Sequence, residues 1–188
     1  MRRMRIALLT LEGARLRVDS FVDVYRAAFS GPPYNRVERE VQEFGRALPL
    51  HFDRPGFRAA AALDDDSAGF AGFAYGYYTL PGQWWHDNVA TALGRAHAKE
   101  WLSDAFQLTE IAVAPEWQGR GLGKGLHDLL LGDAPTPRAV LSTLDAPTVA
   151  FDMYLRRGWQ QLLAGFQFPG VARPYAILGR SLPLNGAT

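Results

Sequence analysis

Leu108-Thr-Glu-Ile-Ala-Val-Ala-Pro-Glu-Trp-Gln-Gly-Arg-Gly-Leu-Gly-Lys124 decides the fold. Its first half is apolar on both faces, the pattern of a central strand, and Pro115 ends it. Gly119, Gly121 and Gly123 then open an amphipathic helix over 121–131 with Leu122, Leu126, Leu129 and Leu130 on its stripe. Three glycines at a helix start cost stability unless something requires them. Glycine lets successive N–H groups point one way, and a helix N-terminus adds about half a positive charge. Together they form an anion site of the kind that takes a phosphate or pyrophosphate, with Arg120 and Lys124 beside it. The dinucleotide pattern GxGxxG fails, because Lys124 or Leu126 stands where its last glycine belongs. The P-loop pattern fails at Gln118 and Gly125.

Outward from this turn, the chain alternates strand and helix patterns. Strands are expected over 4–11, 57–63, 69–80, 107–114, 139–144, 159–163 and 175–182. One helix, capped by Asp19 or Ser20, carries Phe21, Tyr25, Ala28 and Phe29, and Ser30-Gly-Pro-Pro-Tyr34 breaks it. A second, capped by Asn35, carries Val37, Val41, Phe44 and Leu48. A further helix spans 147–157. Asp64-Asp65-Asp66-Ser67 reads as a solvated hairpin turn. Residues 81–103 read as a long, irregular, aromatic-rich connection. The expected class is α/β (α+β): a mixed, mostly antiparallel central sheet of about seven strands flanked by about four helices. It forms a single domain over 1–188 with its core at about 4–182.

Composition narrows the function. The 188 residues are 48% hydrophobic and 21% charged, a globular balance. Twenty basic and nineteen acidic residues leave a net charge of +1, so no basic field recruits nucleic acid. The absence of Cys excludes disulfides, thiolate-bound metals and a Cys nucleophile, and suits a cytoplasmic protein. Met1-Arg-Arg-Met-Arg5 followed by Ile6–Leu11 has the outline of a signal peptide. Its apolar run stops at Glu12, short of the about 7–15 residues a signal needs and the about 20 of a membrane helix. It reads as the first strand, with no membrane partner. The histidines show no metal-ligand spacing.

Gln118-Gly-Arg-Gly121-Leu-Gly123 resembles the Q/R-x-x-G-x-G/A motif of the GNAT superfamily of N-acetyltransferases. Ala150-Phe-Asp-Met-Tyr154-Leu-Arg-Arg-Gly158-Trp159 resembles the family's A-x-x-x-Y-x-x-x-G-F/W segment. Ala150 and Tyr154 share a helix face, and Gly158 is placed to end that helix in a left-handed cap. Relatives often carry Asn where Pro147 stands, so no Asn contact to the cofactor is carried over. The resemblance follows the order of elements over 4–182, with its motifs inside 108–159. It implies acetyl-coenzyme A as cosubstrate and no metal. The pyrophosphate would rest on Gln118, Gly119, Arg120, Gly121, Leu122, Gly123 and Lys124, and the pantetheine arm along Ile111, Ala112 and Val113.

Acetyl transfer to an amine needs a proton acceptor for the ammonium, a donor for the oxyanion and a proton for the leaving thiolate. The resemblance suggests the Val113 N–H for the oxyanion. A tyrosine hydroxyl near pKa 10 can protonate a thiolate of about 8.5, which points to Tyr154 as general acid. Glu110, in a strand that looks buried, is the candidate base, where desolvation would raise its pKa toward a useful range. A structural role paired with Arg is the alternative. His86 is a rival base, and His127 reads as packing or solvent-facing. By resemblance, 30–35 and 81–103 line the acceptor site, where Tyr34, Tyr77, Trp84 and Trp85 would make an aromatic wall. The acceptor would be a small-molecule amine or a peptide N-terminus. A non-catalytic acyl-coenzyme A-binding or regulatory module, or a transferase of longer acyl groups, is the alternative. The C-terminal strands could pair across a homodimer.

Overall fold

The computed structural model describes residues 4–64 and 69–184. The expected strand order is present, and two helices are added to it. The elements run β1 (Met4–Leu9), α1 (Leu11–Arg15), α2 (Val18–Phe29), α3 (Glu38–Phe52), β2 (Arg58–Asp64), β3 (Phe70–Tyr78), α4 (Trp84–Leu102), β4 (Ala105–Val113), α5 (Leu122–Gly132), β5 (Arg138–Leu144), α6 (Val149–Arg156), β6 (Gln160–Phe166) and β7 (Tyr175–Ser181). Hydrogen-bonded neighbours follow the order β1-β2-β3-β4-β5-β7-β6. β1 pairs antiparallel to β2, and β2 to β3. β5 pairs antiparallel to β7, and β7 to β6. β4 runs parallel to β5 over Ala105–Gln107. The sheet is therefore mixed and mostly antiparallel, as expected. The described residues hold six α-helices rather than about four. Met1, Arg2, Arg3 and the hairpin-turn residues Asp65, Asp66 and Ser67 lie outside the described residues.

The chain groups into two compact units, Met1–Tyr77 with Thr109–Asp133, and Tyr78–Leu108 with Ala134–Thr188. In the first, α2 and α3 bury Phe21, Tyr25, Val41, Phe44, Leu48 and Phe52 against Phe73, Tyr75 and Tyr77 of β3. The period-2 alternation of β3 turns these three aromatics to one face. Phe44 stacks on Tyr25 at 4.0 Å, and Phe21 packs on Phe73 at 4.8 Å. Such pairs add about 0.5–1.5 kcal/mol each beyond area burial. α5 takes the other face. A Cβ on Gly72 would sit 2.8 Å from the Ala112 carbonyl and 3.2 Å from Leu126, so only a bare glycine fits between β4 and the Leu126 side chain of α5.

Helix starts differ from expectation. α2 begins at Val18, and its N-cap Arg17 gives no side-chain bond, so neither Asp19 nor Ser20 caps it. Asn35 lies outside α3 at φ 47°, and the Glu40 carboxylate instead accepts from the Val37 N–H at 2.9 Å. Acceptance by a first-turn Glu satisfies a donor the helix end leaves open.

In the second unit, residues 81–103 are not an irregular connection. They form α4, broken at Gly94, where φ is 75° and ψ 162°. Its Val89, Trp101 and Leu102 bury against Val140 and Ile177. A Cβ on Gly179 would fall 2.6 Å from the Trp101 ring, so β7 accepts that indole only with glycine there. α6 starts where Thr148 accepts from the Phe151 N–H at 3.1 Å. It ends as its sequence implies. Gly158 has φ 77°, its N–H reaches the Leu155 carbonyl, and the Trp159 N–H reaches the Tyr154 carbonyl. That double bond pattern is the Schellman motif.

Candidate functional site

The glycine turn is built around an open helix end. β4 stops at Val113, a 3-10 turn spans Pro115–Trp117, and the Gln118 side chain donates back to the Val113 carbonyl at 2.9 Å. That bond ties the turn to the strand end. Gly119 and Gly121 have φ of 73° and 78°, so both are required by conformation. Gly121 is the N-cap of α5, no side chain caps the helix, and no acid occupies its first turn. The first N–H groups of α5 thus lack an intrahelical acceptor and their dipole is unopposed. A Cβ on Gly119 or Gly121 would meet nothing within 4 Å, so the space over the turn is open. The Arg120 guanidinium lies 4.7 Å over the Trp117 ring, and Lys124 is exposed.

Glu110 lies in the same unit, half-buried on β4. Desolvation pushes its carboxyl up to about 7, against the opposing charge of Arg36 and a hydrogen bond from the Ile111 N–H. Arg36 is held by Glu40 at 2.5 Å, both largely buried. Ile111 and Val113 are half-buried and Ala112 is buried. Tyr77, at 6% exposure, belongs to the core cluster, and its hydroxyl bonds with Thr109. Tyr34 packs edge-on against Phe29 at 4.8 Å. Sequence reasoning passed over His51 and Arg54. The His51 Nδ1 lies 2.9 Å from the Tyr75 hydroxyl, and desolvation, aided by Arg54, lowers its pKa to about 4. His51 and Arg54 sit three apart at the end of α3, and only the fold sets them against Tyr75 and Tyr77.

The second unit holds the remaining candidates. Tyr154 is buried on α6, its ring edge-on to Trp159 at 5.7 Å. Ala150, one turn earlier, is half-buried. The Trp85 indole donates to the Ser142 hydroxyl at 3.1 Å. Trp84 is 56% exposed and stacks on Phe168 at 5.0 Å. The four expected wall aromatics therefore divide, Tyr34 and Tyr77 in one unit, Trp84 and Trp85 in the other. His86 contacts Asp87 at 3.0 Å, whereas His127 belongs to the first unit, fully buried beside Asp128 at 2.9 Å. No helix among the described residues is long and apolar enough to cross a membrane.

Comparison with known proteins agrees with this arrangement. The model of the acetyltransferase (GNAT) family matches residues 18–159. A GCN5-like protein acetyltransferase of Mycobacterium tuberculosis is 36% identical over 132 residues, 66% of this chain and 64% of its own length. The chain thus spans less than two thirds of that relative. The PaiA N-acetyltransferase of Thermoplasma acidophilum, solved in complex with coenzyme A, superposes with a TM-score of 0.61 at 13% identity, over 96% of this chain and 99% of its own. An aminoglycoside 6'-acetyltransferase type Ii gives a TM-score of 0.64 at 14% identity, over 95% and 98%. These two share the fold. With the motif turn, the strand order and the family match in hand, the chain belongs to the GNAT family of acetyltransferases.

Proposed function

We propose that the chain transfers an acetyl group from acetyl-coenzyme A to a primary amine of a small-molecule or peptide acceptor, by direct attack in a ternary complex. The observation that carries this is the uncapped N-terminus of α5 behind two left-handed glycines, which presents free N–H donors to a pyrophosphate. β4 is paired with β5 over Ala105–Gln107, and the Ile111–Val113 backbone would receive the pantetheine arm beyond that stretch. The solved relative that carries coenzyme A supports this ligand. The amine nitrogen attacks the thioester carbon, and the Val113 N–H donates to the oxyanion. The carbon–sulfur bond then breaks and Tyr154 protonates the thiolate. The ammonium proton passes to Glu110, whose elevated pKa of about 7 suits that task near neutral pH.

A thermal-shift titration tests the ligand. Acetyl-coenzyme A at a hundredfold its Kd adds about 2.7 kcal/mol, which is about 5–11 °C for a domain of this size. NAD and ATP should give no comparable shift. Tyr154→Phe should keep that shift and lower kcat by about 10²–10⁴. A shift without turnover on any amine would mark a binding module, and unchanged kcat in Tyr154→Phe would remove the general acid.

A further inference from the structure

Arg54 follows α3, and its guanidinium lies 6.0 Å over the ring of Tyr77. It is half-buried, and no carboxylate among the described residues answers it. The adjacent Asp53 is engaged by Arg15 at 2.6 Å. Glu40 is engaged by Arg36, and it is Arg36 that acts on Glu110. The two side chains seen to interact with Arg54, His51 and Tyr77, are uncharged at neutral pH. His51 is neutral with Tyr75 at its Nδ1, and Tyr77 is a phenol bonded to Thr109. A guanidinium drawn out of water and set against neutral aromatics has lost solvation without gaining a counter-charge. It keeps its planar fork of donors for an external anion, the geometry that takes a carboxylate through two bonds. Its position is equally telling. A single tyrosine, Tyr77, links it to Thr109, the residue beside Glu110 in β4.

We propose that Arg54 is the recognition site for a carboxylate on the acceptor, so that the substrate class is an amine that also carries an acidic group. This rests on the assignment of Glu110 as base. The amine would sit toward Glu110 and the carboxylate toward Arg54. A polycationic acceptor would instead set a second ammonium against an unanswered guanidinium, which disfavours it.

The test is a thiol-release panel of matched acceptors on the full chain. It pairs amino acids with their amides and decarboxylated amines, and short peptides ending in Glu or Gln with both C-termini amidated. Acidic members should show at least tenfold higher kcat/KM than their neutral partners, chiefly through KM. Arg54→Gln should bring that ratio to about one, and Arg54→Lys should restore part of it. Because the ratio is taken within one preparation, partial unfolding of a variant cancels. A ratio near one in the parent protein, a ratio that survives Arg54→Gln, or turnover of neutral amines alone would overturn the proposal. Glu110→Gln on the same panel separates the two ideas. Equal loss on acidic and neutral acceptors keeps the base, whereas unchanged rates remove the base whatever the Arg54 ratio shows.

Discussion

Replacing Glu110 by Gln should move stability and activity in opposite directions, and the size of both effects follows from its surroundings. Its carboxyl titrates at about 7 in the folded chain against 4.5 for an ordinary glutamate, because β4 takes it out of water. Below pH 4.5 it is protonated in both folded and unfolded states, and burial carries no electrostatic penalty. Between 4.5 and 7 the unfolded chain releases its proton first, and each pH unit costs the fold about 1.4 kcal/mol. Above 7 the penalty is complete, on the order of 3 kcal/mol. Gln keeps the acceptor for the Ile111 N–H and does not titrate. Glu110→Gln should therefore gain about 6–12 °C in Tm at pH 8.5, and close to nothing at pH 4.5, by scanning calorimetry. The same variant should lose about 10²–10⁴ in kcat/KM. The parent protein should lose about tenfold per pH unit below 7, as the ionised fraction falls. A Tm gain equal at both pH values would refute the desolvation argument. An acid limb near pH 7 that persists in Glu110→Gln would refute the catalytic one.

Arg36→Met should move that acid limb to higher pH, because the Arg36 charge is the largest influence opposing desolvation of Glu110, and a pH–rate profile reads it directly. An unmoved limb would show that Arg36 does not reach the base. Gly121→Ala should cost about 1–2 kcal/mol, since φ is 78° and no neighbour lies near its Cβ, and should weaken coenzyme A binding by calorimetry. Gly158→Ala meets the same conformational penalty at the C-terminus of α6, about 1–2 kcal/mol in urea unfolding, without touching the pyrophosphate turn. Gly179→Ala drives a methyl into the Trp101 ring and should cost about 1–3 kcal/mol, with a changed near-ultraviolet signal from that indole.

What could be read from the sequence was set by local chemistry. The turn at 118–123 and the end of α6 were legible because φ-positive glycines, a strand-ending proline and a four-residue Ala–Tyr spacing each carry a physical meaning on their own. The seven strands were legible from alternation and turns. α4 was not. Only Val89, Trp101 and Leu102 are buried along it, and Gly94 resets the helical phase between them, so no sustained stripe exists. α1 is five residues, too short to show a period, and its sole signal is Thr10 accepting from the Gly13 N–H. Caps were misplaced because Asp19, Ser20 and Asn35 all have the chemistry to cap, whereas the helix starts were chosen by packing of Phe21 and Val41. His51 and Arg54 take on meaning only through Tyr75 and Tyr77, which lie more than twenty residues away. No local pattern reports such a pairing.

The break in α4 has a consequence for how this surface can change over generations. Gly94 is exposed, and an added Cβ there meets nothing within 4 Å, so packing would let any residue stand at that position. Its φ of 75° does not. A side chain in this essentially glycine-only region would cost about 1–3 kcal/mol, with no clash to relieve by a second substitution nearby. The flanking Ala92, Arg95, Ala96 and His97 are also exposed and carry no such constraint. Drift should therefore scramble the neighbours and spare the glycine, since ψ of 162° puts it outside the left-handed helical region that Asn tolerates. In a saturation-mutagenesis library of α4, Gly94 should stand out as an intolerant position within a permissive exposed stretch.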